Sequence, residues 1–129
     1  MATQHDPLTE TIIGCAFKVH NALGAGFLEK VYENALAIAL RKQGLRVVQQ
    51  ESIRVYYEGE VVGDYCADLW VEDQVLVEVK AVEALNKAHE VQLVTSLVAT
   101  RLDVGLLINF GQSVQVKRKY GKRQPQGDL

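Results

Sequence analysis

The fold of this chain is decided by residues 64–81, which read DYCADLWVEDQVLVEVKA. Two runs of alternating side chains flank the polar turn Glu72-Asp73-Gln74, and this pattern predicts a β-hairpin. Because successive residues of a strand point to opposite faces, Glu78 and Lys80 share one face of the second strand, while the valines on either side of Glu78 share the other. Charged groups on a face that packs against the protein need a charge partner or a metal ion.

The length of the hairpin loop decides which residues lie opposite each other. A loop of three residues places Val71 opposite Val75, and it brings Asp68 opposite Glu78, within reach across the two strands. Two carboxylates at this distance repel each other. A divalent cation bound between them makes their proximity favourable, because Mg²⁺ takes oxygen ligands from one or two carboxylates. A loop of two residues would shift the register by one and send the two carboxylates to opposite faces of the sheet.

Composition indicates one globular domain. The chain has 129 residues, of which 48% are hydrophobic and 23% are charged, and its net charge is −2. This length suffices for a single core, and the proportions are those of a folded protein. No apolar run approaches the roughly 20 residues that span a bilayer, and the N-terminus lacks a basic segment followed by an apolar one. We therefore expect a cytoplasmic protein without a membrane partner.

Charge is unevenly distributed along the chain. Residues 1–116 carry 9 Lys or Arg against 15 Asp or Glu, whereas residues 117–129 carry 5 against 1. We predict a single domain over 1–116 and a basic, flexible tail over 117–129, which either contacts phosphates or acts as a solubilising terminus. Cys15 and Cys66 lack the spacing of a zinc site, and we interpret them as buried free thiols.

The order of the predicted elements indicates an α/β fold. Asp6-Pro7 opens a helix that ends at Gly24-Ala25-Gly26, and a second helix follows. Three antiparallel strands then form a meander, and a helical crossover leads to an apolar strand, buried on both faces and parallel to its neighbour. After the first helix, the predicted ranges are 27–43 (helix), 46–57, 61–71 and 75–81 (strands), 84–100 (helix), 104–110 (strand) and 114–117 (a weak last strand). The expected architecture is a central mixed sheet flanked by helices.

Two helical segments carry polar residues beside apolar stripes. Glu29, Tyr32 and Glu33 project from one face of the second helix, because they stand at positions i, i+3 and i+4. Tyr32 favours a partly buried environment with a hydrogen-bond partner, and we interpret Glu33 as a solvated acid. His20 borders the apolar stripe of the first helix, where a lone histidine is more often a packed residue than a ligand.

These residues, in this order, resemble a known family. Asp68 on the second strand, Glu78-Val79-Lys80 on the third and an acid on the preceding helix are similar to the PD-(D/E)xK phosphodiesterase superfamily. Residues 26–32, GFLEKVY, also match the signature of the small bacterial and archaeal GxxExxY family. The resemblance extends from about Leu8 to Gly111 through four further stretches, 19–24, 65–69, 77–81 and 106–111.

Two positions depart from the superfamily pattern. Ala67 stands where the superfamily has a proline before the aspartate, and that proline supplies no metal ligand. In the helix after the third strand, Gln92 is present where related nucleases carry Gln-x-x-x-Tyr, but Ser96 takes the place of the tyrosine. The resemblance therefore implies a restriction-endonuclease-like core in which Gln92 supports the site without the tyrosine.

The resemblance implies a metal-dependent nuclease that acts on DNA. Asp68, Glu78 and the backbone carbonyl of Val79 would hold Mg²⁺ or Mn²⁺, and Lys80 would act on the attacking water and on transition-state charge. Glu29 would hold a water or a second ion. The candidate residues for contacts to the phosphate, or for support of the metal ligands, are His20, Tyr32 and Gln92.

Two other interpretations stay open. A protein that keeps the nuclease fold could bind nucleic acid or regulate a partner without useful turnover, and the acidic body of the chain is consistent with this, since phosphate binding needs positive surface. The second of these interpretations is a structural protein without a functional site, and it leaves the charges of the hairpin without a partner. We also expect a homodimer, because cutting both strands of a duplex is most simply done by two copies related by a two-fold axis.

Overall fold

A five-stranded mixed sheet forms the middle layer of the protein, with helices on both faces. The structure is a computed structural model and describes residues 6–121. In chain order the elements are α1 (Pro7–Leu23), α2 (Glu29–Lys42), β1 (Val47–Tyr57), β2 (Glu60–Val71), β3 (Val75–Lys80), α3 (Lys87–Thr100), β4 (Val104–Phe110) and β5 (Val114–Tyr120). The predicted α/β architecture is confirmed.

The strands follow one another in the order β1-β2-β3-β4-β5. The first three form the predicted antiparallel meander, and β4 pairs with β3 in parallel. Helix α3 makes the crossover between β3 and β4, and β5 closes the sheet as an antiparallel edge strand. The central position of β3 explains why its apolar residues are buried on both faces of the sheet.

Two apolar cores lie on the two faces of the sheet. The larger one joins α1 and α2 to the side of β3 that carries Val75, Val77 and Val79. The smaller one packs α3 on the opposite side, through Leu76 and Leu107. Since Glu78 and Lys80 alternate with the valines, the backbone places them on the α3 side, beyond Leu76.

Local sequence signals set the helix ends. The side chain of Asp6 accepts the N–H of Leu8 at 3.0 Å, with Pro7 in the first turn, as predicted. Helix α2 begins at Glu29, two residues later than predicted, because Leu28 is still in an extended conformation. The preceding Gly26 has φ +107°, which a side chain would disfavour.

The loop of the central hairpin has three residues. Val71 pairs with Val75, Trp70 with Leu76, and Leu69 with Val77. This register matches the first of the two alternatives considered from the sequence, and it keeps Asp68 and Glu78 on one side of the sheet.

The last strand is longer than predicted. It runs to Tyr120 rather than to residue 117, and it pairs with the whole length of β4. Part of the expected tail therefore belongs to the sheet, where Lys119 forms an ion pair with Glu90 at 2.6 Å and Arg118 with Glu10 at 3.6 Å. Residues 122–129, the rest of that segment, lie outside the described residues.

Two further expectations concern exposure. Cys15 is buried as expected, but Cys66 is exposed, because it alternates with Tyr65 and Ala67, which pack in the smaller core, and so faces the other side of β2. Within residues 6–121, no helix is both long and apolar enough to cross a membrane.

Candidate active site

The strands β2 and β3 separate beside the candidate site. Their paired residues end at Leu69 and Val77, so that Asp68 is the first residue of β2 beyond the ladder. The carboxylate of Asp68 reaches into the gap, where its Oδ2 accepts the backbone N–H of Val79 at 2.7 Å. A side chain thus replaces the missing ladder bond, and the gap opens next to Glu78.

The carboxyl groups of Asp68 and Glu78 lie together in this gap. The pKa of Glu78 is raised to about 8, first by burial and then by the negative charge of Asp68. Burial also raises the pKa of Asp68, and the charge of Glu33 acts in the same direction. Because both carboxyl groups are removed from water and lie close to other negative charge, the pair resists carrying two negative charges in the metal-free protein.

Lys80 is the cation of this cluster. It follows Glu78 on the same face of β3, and its positive charge lowers the pKa of both Asp68 and Glu78. The lysine side chain is half-buried, as are the two carboxylates. The structure therefore brings together the three residues that the sequence analysis placed at the centre of the site.

The backbone carbonyl of Val79 faces the same gap. In a strand, the N–H and C=O of one residue point to the same side, and the N–H of Val79 points to Asp68. The carbonyl therefore points toward β2, at a level where β2 is no longer paired with β3. This orientation suits the predicted role of the Val79 carbonyl as an oxygen ligand.

The acid that α2 contributes to the cluster is Glu33, not Glu29. Glu33 is only 3% exposed, and its charge acts on the pKa of Asp68. Glu29 lies exposed in the first turn of the helix. The interpretation of Glu33 as a solvated acid is wrong, because the helix turns this side chain toward β1.

Two glutamines connect Glu33 to Asp68. The side-chain amide of Gln49 donates to Glu33 Oε2 at 2.9 Å, and that of Gln50 donates to Glu33 Oε1 at 3.1 Å and to Asp68 Oδ1 at 3.3 Å. Gln50 has φ +56°, so the strand is distorted at this residue. Lys30 adds an ion pair to Glu33 at 3.2 Å, and the buried carboxylate is thereby provided with donors.

A comparison of Glu33→Ala with Glu29→Ala tests this assignment. Glu33→Ala removes one acceptor from each of the amides of Gln49 and Gln50, so we expect a loss of about 1–3 kcal/mol in unfolding free energy and a lower cleavage rate. Glu29→Ala removes an exposed side chain and should change stability by less than about 0.5 kcal/mol. Urea unfolding of the two variants measures the difference, and equal losses would contradict the assignment.

Tyr32 and His20 lie outside the carboxylate cluster and hold loops in place. The hydroxyl of Tyr32 donates to the carbonyl of Gly24 at 2.5 Å and accepts the N–H of Phe27 at 3.2 Å. The ring of Tyr32 stacks on Phe110, with centroids 4.7 Å apart. His20 bonds through Nε2 to the carbonyl of Gly111 at 2.8 Å.

Gln92 and Asn109 also differ from expectation. Gln92 is exposed on α3, and its backbone carbonyl accepts the hydroxyl of Ser96 at 3.1 Å. Asn109 is fully buried and was not predicted to have a role, but its side chain bonds both the N–H and the carbonyl of Val82, each at 2.9 Å. Asn109 therefore fixes the chain just after Lys80. The signal was available, since an asparagine within an apolar strand needs partners.

The cluster fits a hard divalent cation. No group of three or more His, Cys, Asp or Glu side chains with metal-binding geometry is found within residues 6–121. Mg²⁺ does not require such a group, since it is commonly held by one or two carboxylates with water and phosphate oxygens. Asp68, Glu78 and the Val79 carbonyl would supply three oxygens, and a bound cation would offset the repulsion from Asp68, which together with burial raises the pKa of Glu78.

The pH dependence of stability should reveal the raised pKa of Glu78. Between its ordinary pKa and about 8, the folded protein binds a proton that the unfolded chain releases. The unfolding free energy should therefore fall as pH rises from about 5 to about 8, by at most about 1.4 kcal/mol per pH unit. Urea unfolding in EDTA should show this fall in the wild type and in Glu60→Gln, an exposed control, but much less of it in Glu78→Gln. The same slope in both variants would contradict the assignment.

Fold and site together define an α/β protein of the restriction-endonuclease-like type. A model of the PD-(D/E)XK nuclease superfamily matches residues 6–120, and the chain belongs to this superfamily. No curated protein sequence matches the chain. The superfamily resemblance is thereby confirmed, while the narrower GxxExxY assignment stays a prediction.

Two solved structures share the fold. The crystal structure of SSO0001 is similar with a TM-score of 0.59 and 14% identity, over 93% of this chain and 60% of that one. LHK-Exo, an alkaline exonuclease from Laribacter hongkongensis, is similar with a TM-score of 0.54 and 13% identity, over 94% of this chain and 73% of that one. The present chain thus spans less than two thirds of the length of SSO0001.

Proposed function

We propose that this protein hydrolyses phosphodiester bonds in DNA with the help of Mg²⁺ or Mn²⁺. The observation that carries the proposal is the pair of half-buried carboxyl groups of Asp68 and Glu78, on strands that separate beside them, with Lys80 at the same place. Placing two carboxylates this close together does not stabilise the folded protein. Membership of a nuclease superfamily supports the same reading.

The residues of the cluster have separate roles in this proposal. Asp68, Glu78 and the Val79 carbonyl hold the cation, which when bound offsets negative charge on the phosphate. The ammonium group of Lys80 orients the attacking water and stabilises the charge that develops in the transition state. Glu33 acts through Gln50, whose amide keeps the Asp68 carboxylate in position, so Glu33 is a positioning residue.

The test of this proposal is a cleavage panel. The wild-type protein is incubated with duplex, branched and single-stranded DNA, and with single-stranded RNA, in Mg²⁺, Mn²⁺ or EDTA. We expect cleavage of at least one DNA substrate with either cation and none in EDTA. Cleavage in EDTA, or of RNA alone, would contradict the proposal. Binding without cleavage would favour the alternative of a module that binds nucleic acid or regulates a partner.

We also propose that the protein forms a homodimer through the tip of the β1–β2 hairpin, residues 54–64. Tyr56 and Val61 face each other across the two strands there, and both are exposed. The tip carries three carboxylates and one guanidinium, so phosphate would be repelled there, and the exposed apolar pair is what supports a contact between two copies. A two-stranded ribbon with exposed apolar side chains also gains stability when it is covered.

Sedimentation velocity tests the dimer. At micromolar concentration we expect the wild type to sediment as a dimer, and the double variant Tyr56→Ser with Val61→Ser to sediment as a monomer, because the apolar contact is lost. Val98→Ser, which removes an exposed valine of α3, serves as the control and should remain dimeric. A monomeric wild type would refute the proposal and leave the cleavage of single strands unaffected.

A further inference from the structure

A cavity of about 410 Å³ opens at the end of β3, the strand that carries Glu78 and Lys80. Three segments line it, the loop 25–28 before α2, residues 81–83 after β3 and residues 110–112 at the end of β4. Ala81 follows Lys80 directly, so the cavity begins where the strand that carries Glu78 and Lys80 ends. Its volume lies in the range of small-ligand sites.

Each wall of the cavity is fixed by a side chain that the proposed chemistry does not use. Tyr32 holds the first wall through Gly24 and Phe27, and Asn109 holds the second through both polar groups of the Val82 backbone.

His20 holds the third wall through the carbonyl of Gly111. The rings of Tyr32 and Phe110 stack beneath the cavity and join the first wall to the third. The walls are therefore in place before any ligand binds, which lowers the entropic cost of binding.

The cavity suits a flat, uncharged group rather than a phosphate. Phe27, at the edge of the cavity, is 48% exposed. Its ring is held edge-to-face against Tyr32, with centroids 6.1 Å apart. Leu28 beside it is 79% exposed. Among the described residues that line the cavity, Glu83 is the one with a charge, and this charge is negative. A phosphate would be repelled here and attracted to Lys80.

We propose that this cavity receives one unpaired nucleobase of the substrate strand, which stacks on Phe27 while the adjoining phosphate lies at Asp68, Glu78 and Lys80. The proposal rests on the proposed function and narrows its substrate to strands in which a base next to the scissile phosphate is unpaired. Stacking of a base on an aromatic side chain tolerates every sequence, because each base has a π-face. The selection is therefore for single strands, frayed ends or branch points, not for sequence.

Binding in EDTA tests the stacking without cleavage. A fluorescent single-stranded DNA oligonucleotide is titrated with wild type, Phe27→Ala and Phe17→Ala. Phe17 is 47% exposed on α1 and does not line the cavity, which makes it a matched control. We expect Phe27→Ala to bind about tenfold more weakly, within the range of one lost stacking contact, and Phe17→Ala to bind like the wild type. Phe27→Trp should keep the affinity.

An oligonucleotide of abasic sites separates stacking from phosphate contacts. On this probe wild type and Phe27→Ala should bind equally, because the base is missing. The inference would be overturned if Phe27→Ala bound the normal strand as tightly as the wild type does. It would also be overturned if Phe27→Ala lost as much affinity for the abasic strand as for the normal one, or if the wild type bound no single-stranded DNA. Failure to cleave in Mg²⁺ or Mn²⁺ would count against the proposed function, and it would not alter the comparison made in EDTA.

Discussion

Replacing Lys80 by alanine should lower the rate of DNA cleavage by about 10²-fold or more and leave divalent-cation binding in place. The ammonium group lies beside the two carboxylates and lowers the pKa of each, but it supplies no oxygen to a cation. Its loss removes an interaction with the attacking water and with the transition state, and groups of this kind contribute about 10²–10⁴-fold to catalysis. The cleavage rate under saturating Mn²⁺ measures the first effect, and calorimetric titration of Mn²⁺ measures the second.

Lys87→Ala provides the matched control for this experiment. Lys87 is exposed at the start of α3, so this variant removes a lysine without touching the cluster, and it should cleave like the wild type. Equal rates for the wild type and Lys80→Ala would show that the activity comes from a contaminant or that Lys80 has no catalytic role. Loss of Mn²⁺ binding in Lys80→Ala would show instead that the lysine supports the carboxylates.

Replacing either carboxylate should abolish cation binding. Asp68→Asn and Glu78→Gln each remove one charged oxygen ligand and keep the shape of the side chain, so we expect no measurable heat of Mn²⁺ binding in either variant. The asparagine can still accept the N–H of Val79, the bond that the Asp68 carboxylate makes at 2.7 Å, and folding should persist. If both variants bound Mn²⁺ as tightly as the wild type does, Asp68 and Glu78 would not be the ligands of the cation.

The pH dependence of Mn²⁺ binding gives an internal check. Because the pKa of Glu78 is raised to about 8 in the metal-free protein, a cation must displace the proton that Glu78 holds below this pH. Affinity should therefore rise with pH up to about 8, with proton release that differs between buffers in calorimetry. Glu60→Gln, which changes an exposed residue of β2, should show the wild-type behaviour.

Local signals predicted the elements of the fold well. The three polar residues of the hairpin turn set the register that brings Asp68 to Glu78, and Val71 pairs with Val75 as predicted. Asp6 and Pro7 mark the start of α1, and the apolar run of β4 indicates its buried, parallel position. These features depend on residues that are close in sequence, so a periodic pattern is sufficient to recognise them.

The contribution of α2 to the site could not be predicted from spacing alone. Glu29 and Glu33 are one turn apart and share a helix face, and the family signature favoured Glu29. The choice depends on how far α2 extends over β1, and the amides of Gln49 and Gln50 meet Glu33 there. One signal was present, because Glu33 continues the stripe of Leu36 and Leu40, both buried.

Long-range contacts account for the other differences. Tyr32 and His20 carry the family-like motifs, and their hydrogen bonds run to Gly24 and Gly111, so they shape the neighbouring cavity rather than the carboxylate cluster. Lys117, Arg118 and Lys119 resemble part of a tail by composition, but they pair with β4. Strand pairing with a distant segment overrides composition, and sequence periodicity does not report it.

Cleavage measured as a function of Mn²⁺ concentration tests the central claim most directly. The substrate is the DNA that the wild type cuts best, and wild type and Glu78→Gln are compared from parallel preparations. If Asp68 and Glu78 hold the cation that the reaction uses, the wild-type rate rises to saturation with a midpoint equal to the calorimetric Kd, and Glu78→Gln stays at background at every concentration. A rate that does not depend on Mn²⁺, or the same saturation curve in Glu78→Gln, would contradict the claim.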